Sequence, residues 1–313
     1  MALTQGTLGA GRVGLKKLYA VENEKVDKQY QLITGRVETT TQTTEVFKQF
    51  AGLGPSVETP EGNKAEFDDM AALFVAICKP VLYTKGIKMS LQTVFTDQYG
   101  KLKNMTPHLA RAFVHRRNIK TADLDNSGFT DTTKGVNSEP LYYQGHSMGA
   151  NSYFSNRPLA AGQVAGPSAT TSEVALSPFG LEVCWKDIRR QPSARNLPMF
   201  PVGKIAIKLP AELYLAGLRA IRATRLPGTD NNDDNVIRDK FEDPILIDYY
   251  TSPTAWFART SDSSNHGLYF LEQMAYDVEK LPLDEEMMHK WVAFESFGTG
   301  WYDAHGTWAS LGA

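Results

Sequence analysis

The sequence predicts a mixed α+β protein, and three stretches carry that prediction. Residues 172–258 read as helix, strand, helix, strand with a stop between each. Two β-rich runs between Thr34 and Phe95 flank a region crowded with Gly52, Gly54, Pro55, Pro60 and Gly62, the pattern of a long hairpin with a turn-rich tip. A stretch opened by Thr106-Pro107 and closed by Asp125-Asn126-Ser127-Gly128 carries one long helical stripe, with Leu102 and Met105 before it and Leu109, Ala112, Phe113 and Ile119 along it.

In chain order, residues 1–33 hold glycines at 6, 9, 11 and 14 and a short amphipathic piece from Leu15 to Val26, too little to form a core alone. Gly9-Ala-Gly11-Arg-Val-Gly14 matches the dinucleotide fingerprint by letter. That motif needs a hydrophobic strand directly before it, and the eight residues available are partly polar. The stretch reads as an arm.

Strand composition follows from Thr34 to Thr44, then the Gly/Pro tip, then a second run from Leu73 to Phe95. In that run Ile87, Met89, Leu91 and Thr93 alternate with Lys88, Ser90, Gln92 and Val94. A hairpin of that size is not stable alone in water, so it must lie on something. Along the next helix, Arg111, His115, Arg116, Arg117 and Lys120 form the most basic cluster of the chain. It reads either as a solvated or ion-paired face, or as a contact with nucleic acid or a neighbouring subunit.

Gly145-His-Ser147-Met-Gly149 has the letters of the α/β-hydrolase nucleophile elbow, in which a strand enters and a helix leaves. Residues 150–158 are polar and meet Pro158 too early for that helix, and no doubly wound alternation precedes the serine. A serine esterase using Ser147 is therefore only a remote reading. Ser177-Pro178 then caps a helix with Leu181, Cys184, Trp185 and Ile188 on one face, Arg189 and Arg190 at its end and Pro192 beyond it. Lys204–Lys208 alternates like a half-buried strand. Pro210 leads into a helix with Leu213, Leu215, Leu218 and Ile221, and Pro244–Asp248 reads as another strand. Asp230–Asn235 is acidic, but an EF-hand begun at Asp230 needs Gly where Asn235 stands and Glu where Phe241 stands. The last strands are expected from Leu268 to Val278 and from Met288 to Phe297.

With 313 residues, 42% hydrophobic and 22% charged, the chain can bury about three quarters of its unfolded surface without staples. A net charge of −2 gives no overall basic character, which weighs against a dedicated nucleic-acid or anionic-membrane binder. Cys78 and Cys184 imply neither a disulfide framework nor a metal site. No run approaches the roughly 18 apolar residues of a membrane helix, and Met1–Gly6 does not read as a secretory signal. No cofactor, metal or catalytic group is expected.

Residues 181–191 (LEVCWKDIRRQ), 196–221 (NLPMFPVGKIAIKLPAELYLAGLRAI) and 244–258 (PILIDYYTSPTAWFA) resemble the axial-domain core of tailed-phage major capsid proteins with the Hong Kong 97-type fold. Residues 109–129 (LARAFVHRRNIKTADLDNSGF) resemble that family's spine helix, and 294–310 (FESFGTGWYDAHGTWAS) its ending. The resemblance spans about residue 30 to the C-terminus. It implies an N-terminal arm (1–33), an extended hairpin loop and the start of a peripheral domain (34–98), a spine helix (99–134), an axial domain (135–262) and C-terminal strands returning to the peripheral domain (263–313).

It further implies a shell subunit that does no chemistry and forms hexamers and pentamers of an icosahedral head around non-specifically held double-stranded DNA. Portal, scaffold and cement proteins are the partners implied, in a virion assembled in the host cytoplasm. A bacterial nanocompartment shell protein of encapsulin type shares this fold and is the alternative. About 30 residues are too few for a scaffold domain, so the mature chain is expected to begin at Met1 or Ala2, and Lys64 is not expected to cross-link. The acidic tip (Glu58, Glu61, Glu66, Asp68 and Asp69 against Lys64) is expected to meet a neighbour's basic face, formed by Arg111, Arg116 and Arg117 with Arg12, Lys16 and Lys17 of the arm.

Overall fold

The computed structural model describes residues 21, 24, 25, 27–54, 56–59, 64, 65, 67–70, 72–90, 92, 101–148, 152–198, 203–225, 234–282 and 288–312. The first strand-like stretch of the sequence divides differently from expectation. Gln29–Thr34 is a short helix, α1, because Tyr30 and Ile33 one turn apart are both buried and the Thr34 hydroxyl bonds back to the Tyr30 carbonyl. Gly35 ends it at φ 66°, a left-handed value, with the Arg259 guanidinium 2.8 Å from where a Cβ would stand. Only Val37–Thr39 (β1) is strand here, and the hairpin arm begins at Glu45.

That hairpin pairs β2 (Glu45–Phe50) with β3 (Ala72–Cys78), antiparallel, with Val46 opposite Ile77 and Lys48 opposite Val75. The second β-rich run breaks at Lys79-Pro80, so β3 stays in the hairpin while β4 (Val81–Ser90) enters a larger sheet. Leu91 and residues 93–95, the expected end of that run, lie outside the described residues.

The larger sheet has the order β1-β10-β11-β4, built on the long antiparallel pair β10 (Leu268–Lys280) and β11 (Met288–Trp301), with β1 parallel to β10. Across it runs α2 (Lys101–Asn126), which buries Leu109, Phe113, Arg117, Thr121, Leu124 and Asp125 at helical spacing. Leu109 and Phe113 pack on Met89, Val278, Trp291 and Ala293. Thr106-Pro107 does not open this helix, which starts at Lys101 and holds Pro107 inside it. Pro107, the seventh residue of this helix, brings no N–H to the ladder, and its ring crowds the carbonyl four residues before it.

A second sheet has the order β12-β9-β7-β8, from Thr307–Ser310, Trp256–Thr260, Ile205–Leu209 and Ile245–Leu246. The helix α3 (Pro178–Arg190) starts as the sequence says, with the Ser177 hydroxyl accepting from the Gly180 amide at 3.1 Å. With α4 (Ala211–Arg222) it covers one face, where Leu181, Cys184, Ile188 and Ile221 meet Ile205, Ile207, Leu209, Trp256 and Trp308.

The opposite face is not solvated. Phe257 and Ala309 pack there with Tyr142, Leu141 and Trp301, and Lys208 reaches the end of α2. β7 is thus buried on both sides, not half-buried as its alternation suggests. The C-terminal strands also divide: β10 and β11 lie in the larger sheet, whereas β12 pairs with β9 in the second. The final strand therefore does not return to the sheet of its predecessors.

Candidate assembly surfaces

The hairpin β2–β3 has one anchored face and one bare face, because side chains alternate along a strand. Inward, Phe47 stacks on Tyr269 and Tyr302 with centroids 4.3 and 5.4 Å away, and Ala76 and Cys78 are buried. Outward, Val46, Phe50, Val75 and Ile77 are exposed, Ile77 at 62%. Toward the tip Leu53, Val57 and Met70 are exposed too, and Phe67 is 93% exposed. Soluble proteins seldom leave so continuous an apolar surface to water.

The charges expected to complement each other fall into different places. Glu58 and Lys64 are exposed near the tip. Asp68 accepts from the Gly54 amide at 2.8 Å and from Arg195 of the same chain at 2.7 Å, and these bonds hold its carboxyl below the ordinary carboxylate value. One acidic group of the tip is therefore already met within the same chain, by Arg195, which lies 127 residues away in sequence. Glu61, Glu66, Arg12, Lys16 and Lys17 lie outside the described residues.

On α2, His108, Arg111, His115, Arg116 and Ile119 share the exposed face. Arg116 stands over the Tyr83 ring at 5.8 Å, and His115 Nδ1 is bonded to the Tyr249 hydroxyl. Arg117 does not belong to that face. It is buried, its guanidinium bonding Glu295 at 2.8 and 2.9 Å and lying 3.6 Å from Glu272, with the Tyr30 ring 5.7 Å away. Helical spacing explains the correction, since Arg117 follows Phe113 by four residues and shares its inward side. Reversing Arg116 and Arg117 together would therefore break a buried ion pair as well as change the exposed face.

The remaining motifs also have places. Ser147 lies on β5 (His146–Ser147), and β6 (Tyr153–Phe154) returns antiparallel to it, so the chain makes a hairpin where a nucleophile elbow would send out a helix. Cys184 is fully buried, and that burial, with the Asp187 carboxylate beside it, pushes its thiol well above the ordinary value. Gly9–Gly14 and Asp230 lie outside the described residues. Among the described residues no group of three or more His, Cys, Asp or Glu could hold a metal ion, and no helix is long and apolar enough to cross a membrane.

No family model and no curated protein matches the sequence. Solved structures resemble the chain over most of its length. The virus-like particle of Pyrococcus furiosus does so with a TM-score of 0.53 at 9% identity, covering 95% of this chain and 97% of that one. The capsid of a native GTA particle gives 0.55 at 10% identity, covering 92% and 91%. The capsid of cyanophage P-SCSP1u gives 0.52 at 11%, covering 89% and 86%. Identities this low speak to the fold, and with the two sheets, the long helix between them and the projecting hairpin they agree: the chain has the Hong Kong 97-type α+β fold of tailed-phage major capsid proteins.

Proposed function

We propose that the chain is a shell subunit that self-assembles into the hexamers and pentamers of an icosahedral phage head enclosing double-stranded DNA. The observation that carries this reading is the bare outer face of β2–β3, which a subunit working alone has no use for. Head-to-tail contacts between identical copies close rings, and a projecting arm seated on the next copy is such a contact. In this reading residues 1–33 are an arm, 34–98 the extended loop and the start of the peripheral domain, 99–134 the spine, 135–262 the axial domain and 263–313 the return. β12, inside the last of these spans, pairs with β9 in the second sheet. The protein does no chemistry. Portal, scaffold and cement proteins are its further partners, and it ends in a virion after assembly in the host cytoplasm. The tip then approaches a neighbour's Arg111 and Arg116, with Arg12, Lys16 and Lys17 of the arm beside them, and Arg117 takes no part.

Electron microscopy and sedimentation of the purified protein are expected to show closed particles or rings. Monomers of 34.7 kDa alone at high concentration would overturn the reading. The likeness to a virus-like particle keeps a nanocompartment shell beside it, and the contents decide: double-stranded DNA supports the head, a packaged enzyme the compartment.

Phe50→Asp combined with Ile77→Asp tests the hairpin directly. Both side chains face outward, at 49% and 62% exposure, and exposed substitutions usually change stability by about 0.5 kcal/mol or less. The double variant is expected to unfold at the wild-type denaturant midpoint and to sediment as small species. Normal particles from it would remove the outer face from the assembly contact.

A further inference from the structure

We propose that His305 is held as an imidazolium cation and acts as a pH-released clasp, tying the turn between β11 and β12 to the end of α3 and to the β5–β6 hairpin. His305 Nδ1 lies 2.5 Å from Asp303 Oδ1, and its Nε2 lies 3.0 Å from the Pro192 carbonyl oxygen. Asp303 Oδ1 also accepts the His305 backbone amide at 3.0 Å. Both ring nitrogens therefore face acceptors. A neutral imidazole donates from one nitrogen only, and the doubly protonated ring alone satisfies both. A neutral ring would set a lone pair against a buried oxygen, which loses the bond and adds repulsion.

The surroundings suit a cation. The Phe154 ring stacks on His305 with centroids 4.0 Å apart and planes 15° from parallel, presenting its negative face. The Phe154 ring also stacks on His146 with centroids 4.9 Å apart; Nδ1 of that histidine lies 3.1 Å from Glu139 Oε2 and its Nε2 3.1 Å from the Leu141 carbonyl. One phenyl ring thus stacks on two histidines, each facing two acceptors. The charged groups bonded to the two histidine rings are Asp303 and Glu139, and Arg157, Lys186, Asp187 and Arg190 line the cavity that Phe154, Gln191 and Pro192 border. Tyr143 and Trp301 meet His146 edge-on, and the amide of Gln191 bonds the Gly306 amide and the Thr307 carbonyl. His266, which also feels Asp303, stays neutral, because burial and the cations Arg259, Lys208 and Arg36 push it down to about 3.

Burial draws His305 toward the neutral form, but the Asp303 carboxylate and the Pro192 carbonyl outweigh it and leave the group above its ordinary value. The sign follows. A histidine raised in the folded state contributes its full stability below the unfolded value of about 6.5 and loses it as pH climbs through the folded value. The clasp is closed in acid and opens in alkali. Its position gives the opening a consequence, since residues 302–306 carry the chain from the larger sheet into the second. Opening loosens the crossing between the sheets while leaving each ladder paired.

Hydrogen exchange of the full-length protein, corrected for the intrinsic pH dependence of exchange, tests this at about pH 6 and about pH 9, on either side of an ordinary or moderately raised histidine. Amides in 139–156 and 303–307 are expected to lose protection about tenfold for each unit by which the folded value is raised, while 288–301 stays protected. In His305→Gln the difference between the two pH values is expected to vanish. If that variant does not fold, Asp303→Asn serves, because it keeps the shape and removes the charge, and it moves the loss of protection to lower pH. Equal protection at both pH values in the wild type, or an unchanged profile in whichever variant folds, would overturn the clasp.

Discussion

Asp125→Ala is expected to remove the folded protein from solution altogether. Asp125 and Lys208 are both fully buried, with the ammonium 2.6 Å from the carboxylate. The same carboxylate accepts the Tyr142 hydroxyl at 2.6 Å and the Tyr250 hydroxyl at 2.5 Å. Four side chains from the end of α2, the loop after it, β7 and the segment before β9 thus share one group, and they join the long helix to the second sheet. Burial lowers the Lys208 ammonium below its ordinary value although Asp125 pulls it back, so its charge depends on that partner.

Removing one member of a buried pair costs about 3–5 kcal/mol, and each orphaned hydroxyl adds about 1–3 kcal/mol. Total stability for a domain is about 5–15 kcal/mol. The loss is therefore comparable to the whole. Lys208→Met combined with Asp125→Asn is expected to recover much of it, because the amide oxygen still accepts from a tyrosine and neither member of the pair is left as an unpaired charge. Urea unfolding of the three proteins measures this, and a wild-type midpoint for Asp125→Ala would refute the account.

What was legible in the sequence, and what was not, divides by distance along the chain. α3 and α4 could be read because their caps, apolar stripes and stops lie within one window: Ser177, Leu181, Cys184 and Ile188 for the first. β7 could be found but not placed. Alternation of Ile205, Ile207 and Leu209 with Ala206 and Lys208 marks two faces, yet it does not say that α2 covers the second one. Thr34–Thr44 has a strand's composition, and tertiary packing made its start part of a helix, since Tyr30 and Ile33 bury against partners far along the chain. Asp68 with Arg195 and Arg117 with Glu295 are pairs separated by 127 and 178 residues, beyond any local pattern. The arrangement of the whole came from the resemblance, which periodicity could not supply.

Arg117→Met is expected to unfold the protein at neutral pH and to be partly rescued in acid, whereas Arg116→Glu leaves the fold standing. The two residues are adjacent in sequence, but only one carries buried load. Glu295 is completely buried; burial raises its carboxyl above the ordinary value, Arg117 pulls it down, and Glu272 beside it pushes it up again. Without the guanidinium only the two raising influences remain. A carboxyl raised in the folded state contributes stability below its unfolded value, about 4.3, and loses it as pH rises through the folded value. The variant should thus be most stable near about pH 4 and fall steadily toward pH 7, the reverse of ordinary acid denaturation. Leaving the Glu295 charge unpaired at neutral pH costs about 3–5 kcal/mol. Arg116 gives up only an exposed contact over Tyr83, worth about 0.5–1 kcal/mol, so its reversal is expected to leave the fold standing and, under the proposed function, to show in sedimentation alone. Circular dichroism across the pH range, with sedimentation of Arg116→Glu, separates the two roles. A variant lacking Arg117 that is as stable at pH 7 as at pH 4 would show that Glu295 is not held by this arginine.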